Sequence, residues 1–482
     1  MSILRLTVAL AAAALVTPLS TVAAKGHVAP SDKYRIDTSK LPHIDHALKA
    51  LPQWSGQMPV GTNNTLFFWY TQAANVKSDN LIFWHNGGPG CSSLEGLFEE
   101  NGPYHTSDNG RSWYMNPHSW HNLGHVVYID QPFGTGFSLN QTTVPTEDFI
   151  GDTMVQFYKN FFKAFPGMQS KNMYITGESY SGRYVPYMAK HVLSHNKAVK
   201  HSKDKINLKA IAIGDAYIDT SVRNDFIDLF PYLQEHPWMA GNNKTWFAEA
   251  EKLVAKAAKL PGCGGATSEK DITKECIDLE NKFYNDMSNP VNFPLSINCT
   301  SQNQPLFYDP YNIAITDCHE AKGDDNLVQL PWEYYLNLPG IQDTIHVGAH
   351  TKYVDCGGNG KGIYRNDPST VPKYFIGDLI DQGLKVTLYT GLLDSVVPHT
   401  LTEAALRVMK WKGHRGFQHT KMTPATMTPI KVPGNKEKNI GTYHSERGMN
   451  YVVFNNAGHM VPRDEPVGAY WMMEKIVLFR ND

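Results

Sequence analysis

One short stretch constrains the fold of this chain more than any other. Residues 173–176 are apolar enough for a buried strand, and apolar side chains recur at helical spacing from Gly182 onward. Between them, residues 177–182 read Gly-x-Ser-x-Ser-Gly. A corner this tight between a strand and a helix lifts one serine hydroxyl clear of a sheet. We therefore expect Ser179 to lie at an exposed strand-to-helix turn.

The corner departs from the usual pattern of α/β-hydrolases, which have a glycine two residues after the nucleophile. Ser181 takes that place here, and its hydroxymethyl group is small enough for the turn. The N-terminal amides of the next helix would point at an oxyanion formed at Ser179. The alternative is an ordinary helix start with Ser179 as its cap. The corner alone does not decide between these interpretations.

Strands and helices alternate along most of the chain. Such a rhythm indicates an α/β fold with a mostly parallel central sheet and helices on both faces, as in the α/β-hydrolases. Residues 25–61 form an irregular lead-in, and residues 422–441 form a loop or hairpin. The predicted strands are 65–70, 80–85, 125–130, 173–176, 208–215, 384–389 and 451–454, and the predicted helices beyond the corner are 94–100, 152–165 and 468–479.

The alternation fails between about residue 220 and residue 372, a region that holds five of the six cysteines. We therefore predict a first part of the core at 25–219, a largely helical and disulfide-stapled insertion at 220–372, and a second part of the core at 373–482.

The N-terminus indicates the secretory pathway. Arg5 precedes an apolar run at 6–16, and small residues at 22–24 suit cleavage, so residues 1–24 read as a signal peptide. Six cysteines fit an oxidising compartment, and no later stretch is apolar enough to cross a membrane. The product is expected to be secreted or vacuolar. Four acceptor triplets for N-glycosylation begin at Asn63, Asn140, Asn243 and Asn298.

Charge and cysteine spacing narrow the partners. The net charge of −2 gives no electrostatic reason to expect nucleic acid or a membrane surface as a partner. No Cys-x-x-Cys occurs, which argues against a zinc site and a redox motif. We predict no metal and no cofactor.

Three residues at the ends of predicted strands fit one catalytic set. A nucleophilic serine needs a base, and the base needs an orienting carboxylate, in the chain order serine, acid, histidine. Asp394 and His459 follow the strands at 384–389 and 451–454. Asp215 also ends a strand and is the rival acid. We prefer Asp394 because its strand directly precedes that of the histidine.

A glycine-rich loop, residues 86–93, follows the strand at 80–85 and reads Asn-Gly-Gly-Pro-Gly-Cys-Ser-Ser. Its free amides suit a second oxyanion-hole donor. A mere tight turn would not need the flanking asparagine and serines. A phosphate-binding loop would need a Gly-Lys-Ser/Thr, which does not follow.

These motifs, in this order, resemble the serine carboxypeptidases, and the resemblance spans residues 86–466. Ser181 stands where that family usually has alanine. The sequence at 130–138 resembles the version found in the fungal branch of the family. The matching segments are 86–93, 130–138 (Asp-Gln-Pro-x-Gly-Thr-Gly-Phe-Ser), Gly-Glu-Ser-Tyr at 177–180, the Asp394 loop and Gly-His-Met-Val-Pro at 458–462.

The resemblance implies that Ser179 attacks the last peptide carbonyl, His459 carries the proton and Asp394 orients the imidazole. Neighbouring carboxylates repel, so one glutamate of the substrate site must keep a proton, and binding should be best at acidic pH. The implied oxyanion donors are the amides of Gly88 and Tyr180, the implied ligands of the substrate's free carboxylate are Asn86, Gly87, Glu100 and Glu178, and the implied disulfides are Cys91–Cys356, Cys263–Cys276 and Cys299–Cys318.

The function expected from the resemblance is an exopeptidase that acts on peptide or protein C-termini. An acyltransferase or esterase with the same triad is the first alternative. A non-catalytic binding protein on a hydrolase scaffold is the second, and the intact set of triad residues argues against it.

Overall fold

The computed structural model describes most of the predicted core. The predicted signal peptide, three acceptor asparagines (Asn63, Asn140, Asn298) and two cysteines (Cys299, Cys318) lie outside the described residues. These are 31–61, 64–107, 110–138, 144–219, 225–261, 263, 272–287, 289, 309–315, 330–356, 369–418, 427–432 and 439–479.

A ten-stranded sheet forms the centre of the molecule. Its strand order is β1-β2-β6-β3-β7-β8-β9-β14-β13-β12, and the six strands from β6 to β14 run parallel. The strands are β1 Gln53–Pro59, β2 Thr65–Thr71, β3 Asn80–His85, β4 Tyr104–His105, β5 Tyr114–Met115, β6 His125–Ile129, β7 Asn172–Glu178, β8 Leu208–Gly214, β9 Lys385–Gly391, β10 Lys410–Trp411, β11 His414–Arg415, β12 Thr428–Pro429, β13 Gly441–Glu446 and β14 Met449–Phe454.

Helices cover both faces of this sheet, which confirms the predicted α/β-hydrolase architecture. In the described residues no helix is long and apolar enough to span a membrane. The α-helices are α1 His46–Ala50, α2 Leu94–Glu99, α3 Glu147–Ala164, α4 Ser181–Ala198, α5 Asp225–Glu235, α6 Lys244–Ala257, α7 Lys274–Met287, α8 Pro331–Leu336, α9 Ile341–Thr344, α10 Ile376–Asp381, α11 His399–Val408, α12 Val461–Asp464 and α13 Pro466–Met472.

Alternate residues of the central strands enter two separate apolar cores. On β3, Phe83 packs on the face covered by α3 and α4, whereas Ile82 and Trp84 pack on the opposite face. Successive side chains of a strand point to opposite sides, so a strand buried on both faces reads as a continuous apolar run. This explains why all seven predicted strands are found.

The lead-in was predicted as irregular, and this is wrong for β1. That strand pairs with β2 along its whole length, but its buried face carries polar residues. Trp69 Nε1 donates to Gln53 Oε1 at 2.8 Å, and the Ser55 hydroxyl donates to the Ile345 carbonyl at 2.6 Å. These partners on other segments allow polar residues at the buried positions of β1. The local sequence therefore lacks the apolar pattern that marks a strand.

The region between β8 and β9 has two different parts in the described residues. Helices α5, α6 and α7 share their own buried cluster, which includes Phe230, Trp246 and Phe283. Helices α8 and α9 instead pack on the central sheet. Two of the implied disulfides are formed: Cys263–Cys276 lies within the helical cluster, and Cys91–Cys356 joins the glycine-rich loop to the chain after α9. Asn243 caps α6, accepting the Trp246 N–H at 3.1 Å.

Candidate active site

Ser179 lies between the end of β7 and the start of α4, as the corner motif predicts. Its φ of 59° is in the left-handed region, which residues other than glycine seldom adopt. The Ser179 N–H donates to the Gly214 carbonyl at 2.8 Å, and its carbonyl accepts from Gly182 and Tyr217 at 2.8 and 3.0 Å. The N-cap residue of α4 is Tyr180, and no side chain caps the helix. The geometry therefore matches a nucleophile corner rather than a serine cap.

Ser181 is accommodated at the corner by a hydrogen bond. Its buried hydroxyl donates at 2.8 Å to the carbonyl of His85, the last residue of β3. A Cβ added at Gly177 would lie 2.3 Å from the His85 carbonyl oxygen and 2.7 Å from the Ser181 side chain, so residue 177 must be glycine. Ser181 thereby joins the corner to the strand that leads into the glycine-rich loop.

His459 and Asp394 form a buried pair. Their Nδ1 and Oδ2 atoms are 2.7 Å apart. Asp394 Oδ1 also accepts the backbone N–H groups of Val396 and Val397 at 2.7 and 3.2 Å. A hydrogen bond from Nδ1 fixes the imidazole tautomer and leaves Nε2 as the atom that can accept a proton. The structure thus pairs the histidine with the acid that the strand order favoured.

Residues 309–315, within the predicted insertion, join the loops that carry this pair. The Tyr311 carbonyl accepts the His459 N–H at 2.7 Å, and the Tyr311 ring lies edge-on to the imidazole at 5.3 Å between centroids. The Pro310 carbonyl accepts from the Ser395 N–H at 3.0 Å and the Ser395 hydroxyl at 2.9 Å. Sequence reasoning missed this contribution, because a segment this short has no periodicity to reveal it.

The structure brings the two oxyanion candidates into one neighbourhood. A Cβ added at Gly87 would lie 2.4 Å from the Tyr180 nitrogen and 2.8 Å from the Ser179 Cβ, so the loop backbone packs directly against Ser179. Gly88 has φ 106°, a conformation that favours glycine. This close approach explains the paired glycines and puts two backbone segments beside the serine.

Asp130 anchors the far side of the same loop. It accepts the Ser92 hydroxyl, the Ser93 N–H at 3.1 Å and the Phe137 N–H at 2.9 Å. Burial raises the pKa of Asp130 to about 7, although these hydrogen bonds act in the opposite direction. The motif at 130–138 contains this residue, but its role as an anchor is visible only in the three-dimensional contacts.

The candidate ligands of a substrate carboxylate surround one amide group. Asn86 Nδ2 lies 3.0 Å from Glu100 Oε1 and 3.1 Å from an oxygen of both Glu178 and Glu95. Trp84 Nε1 donates to Asn86 Oδ1 at 2.6 Å, which fixes the orientation of the amide. Glu95 was not predicted. The available signal was that α2 starts directly after the glycine-rich loop, which puts its first turn beside Asn86.

Burial raises the pKa of all three glutamates. For Glu178, the neighbouring carboxylates of Glu100 and Glu95 add to the effect of burial. At Glu100, hydrogen bonds from Glu178 and Asn86 partly oppose it. This asymmetry corresponds to a proton held on Glu178 and donated to Glu100. Such a neutral acid can donate a hydrogen bond to an incoming carboxylate, which an ionised one cannot.

The fold and these contacts define an α/β-hydrolase with a serine at its nucleophile corner, a buried histidine–aspartate pair and an acid–amide cluster. Comparison with known families agrees. The chain belongs to the serine carboxypeptidase family, whose model matches residues 42–478. The resemblance inferred from the motifs is thereby confirmed.

The chain is similar to carboxypeptidases of fungi. The pheromone-processing carboxypeptidase KEX1 of Blastomyces gilchristii is 29% identical over 424 residues, which cover 86% of this chain and 63% of that protein. The protein of the same name in Talaromyces marneffei is 30% identical over 430 residues, covering 86% and 64%. The chain thus spans somewhat less than two thirds of these curated relatives.

One solved structure supports the fold over almost the whole chain. It is Kex1Δp, a prohormone-processing carboxypeptidase from Saccharomyces cerevisiae, with a TM-score of 0.75 and 23% sequence identity. The match covers 94% of this chain and 98% of that one.

Proposed function

We propose that this chain removes C-terminal amino acids from peptides and proteins through an acyl-enzyme on Ser179. The observation that carries the proposal is the position of the acid–amide cluster. Glu178 directly precedes Ser179 in the chain, and Asn86 directly precedes Gly87, which packs on the nucleophile. A free carboxylate held by this cluster would set the last peptide bond of a substrate over the serine.

The reaction follows the serine-nucleophile scheme. Ser179 Oγ attacks the last peptide carbonyl while its proton passes to His459 Nε2, and the resulting imidazolium is stabilised by Asp394. The amides of Gly88 and Tyr180 stabilise the tetrahedral oxyanion. The histidine then protonates the departing amino group, and the C-terminal amino acid leaves. Water, deprotonated by the same histidine, hydrolyses the ester and restores the serine.

The raised pKa values give the expected pH dependence. Glu178 keeps its proton at acidic pH because burial and two nearby carboxylates disfavour its ionised form. As pH rises through that raised pKa, the donor is lost and a negative charge appears beside the substrate carboxylate. Binding should therefore weaken, and KM should rise, toward alkaline pH.

The predicted signal peptide and two disulfides support a place in the secretory pathway, with the vacuole or the cell exterior as destination. We also retain the proposed division of the chain near residues 220 and 372. The separate buried cluster of α5, α6 and α7 supports it for that part of the insertion.

A pair of matched substrates tests the proposed activity. A blocked dipeptide with a free C-terminal carboxylate should be cleaved at least about tenfold better in kcat/KM than its C-terminal amide. A hydrogen bond to a charged group contributes about 1.5–3 kcal/mol, and the amide loses that charge. Equal turnover of the two substrates would contradict the carboxypeptidase assignment and favour the esterase or acyltransferase alternative.

A further inference from the structure

Asp215, the acid not chosen for the triad, is built into the same site. It follows β8, is fully buried and has φ 42°. Its Oδ1 accepts the Thr390 hydroxyl at 2.7 Å and the Gly391 N–H at 3.0 Å, and these residues end β9. The carboxyl group is thus held at the start of the loop that carries Asp394.

Asp215 lies beside the catalytic pair. One ligand atom of Asp215, one of Asp394 and one ring nitrogen of His459 all lie within 4.8 Å of one another. Among the described residues no N–H or O–H group donates to Asp215 Oδ2. The neighbouring carboxylate of Asp394 is itself an acceptor, so a hydrogen bond between the two acids requires a proton on one of them.

The distribution of donors decides which acid keeps that proton. Asp394 receives the imidazole N–H and two backbone N–H groups, distributed over both its oxygens. Asp215 receives donors on Oδ1 alone. Burial, the charge of Asp394 and a hydrogen bond between the two acids raise the pKa of Asp215 well above its usual range. Asp394 is therefore the ionised partner and Asp215 the neutral one.

We propose that Asp215 is a positioning residue that donates a hydrogen bond from its neutral carboxyl group to Asp394 and so holds Asp394 against His459. The inference rests on the proposed function, because it assigns Asp394 to the triad. Loss of the proton would remove the donor and put a second negative charge beside Asp394. The efficiency of the serine should then fall as Asp215 ionises.

Titratable groups on three other strands face Asp215. Tyr389 on β9 and Tyr451 on β14 both feel its charge, and burial raises the pKa of each well above its usual range, so both stay neutral. Glu178 on β7, which carries the proton of the glutamate cluster, also interacts with Asp215. A test must therefore separate the effect of Asp215 from that of Glu178.

The rate at which a fluorophosphonate labels Ser179 provides this separation, because the reagent has no carboxylate to bind. We expect D215N, which keeps both an acceptor and a donor, to label within about twofold of the wild-type rate at acidic pH and to lose the wild-type decline at alkaline pH. D215L lacks the donor and should label about 10- to 100-fold more slowly, the loss that a displaced catalytic group causes. The same profiles should hold in an E178Q background.

Two outcomes would overturn the inference: labelling of D215L at the wild-type rate, or an alkaline decline in D215N identical to that of the wild type. The second outcome remains informative if D215L does not fold. D228N is the matched control, since burial raises the pKa of Asp228 to about 6 but Asp228 lies on α5, outside the site. Labelling of S179A at the wild-type rate would instead refute Ser179 as the nucleophile. That result would contradict the proposed function, whereas the two outcomes above contradict only the role of Asp215.

Discussion

Two groups of buried acids flank the nucleophile corner and differ in the hydrogen-bond donors that surround them. The glutamate cluster (Glu95, Glu100 and Glu178) shares one amide donor, Asn86 Nδ2. The aspartate pair (Asp215 and Asp394) is surrounded by an imidazole, a hydroxyl and several backbone N–H groups. Burial raises the pKa of every glutamate in the cluster and of Asp215, whereas Asp394 accepts hydrogen bonds on both of its oxygens.

The difference shows that donor supply acts together with burial on the acids of this site. Hydrogen bonds donated to a carboxylate favour its ionised form, whereas burial and neighbouring carboxylates favour its neutral form. The ionised acid suits the task of stabilising an imidazolium. A neutral Glu178 suits the task of holding another carboxylate. The two groups can therefore be separated experimentally, one through kcat and the other through KM.

The largest expected effect comes from removing the hydroxyl group of Ser179 while the glutamate cluster stays intact. S179A should lose roughly 10⁵-fold or more in kcat, as other serine hydrolases do without their nucleophile. It should still bind a peptide with a free C-terminus, because none of the carboxylate ligands changes. Calorimetry of S179A with a blocked dipeptide checks the second point. Binding that vanished together with turnover would show that the two halves of the site are not separable.

A smaller effect is expected from removing the shared donor of the glutamate cluster. N86A should raise KM by about 10- to 100-fold, since a hydrogen bond to a charged group contributes about 1.5–3 kcal/mol. Its fluorophosphonate labelling rate should change much less. N160A, at a partly exposed position on α3, serves as the control. A large fall in labelling rate with unchanged KM would contradict this prediction, because it would show that Asn86 supports the reactivity of Ser179 and not substrate binding.

The smallest effect should be a change in slope. E178Q is neutral at every pH and keeps a donor, so its KM should rise only a few-fold, or not at all, from acidic to mildly alkaline pH, where the wild-type KM rises steeply. KM profiles of the wild type, E178Q and the exposed control E251Q measure this difference. Parallel profiles for the wild type and E178Q would mean that another group controls the pH dependence.

Much of the fold was predictable because the central strands are apolar on both faces and the corner motif carries strong steric requirements. The pairing of His459 with Asp394 followed from chain order alone. β1 was missed because its buried polar residues find partners far away in the chain. Glu95, the anchoring role of Asp130 and the 309–315 segment were missed for a related reason: each acts through contacts that the local sequence pattern does not reveal.

The hydrogen bonds made by the carbonyl groups of Pro310 and Tyr311 have a consequence for the order of folding. The loops that carry Asp394 and His459 are both hydrogen-bonded to residues 309–315. This segment lies outside the central sheet, within the predicted insertion. A newly made molecule whose sheet forms before the insertion folds would still lack the hydrogen bonds that hold the loops of Asp394 and His459. The hydrogen-bonded arrangement of Asp394 and His459 would then be among the last features acquired during folding.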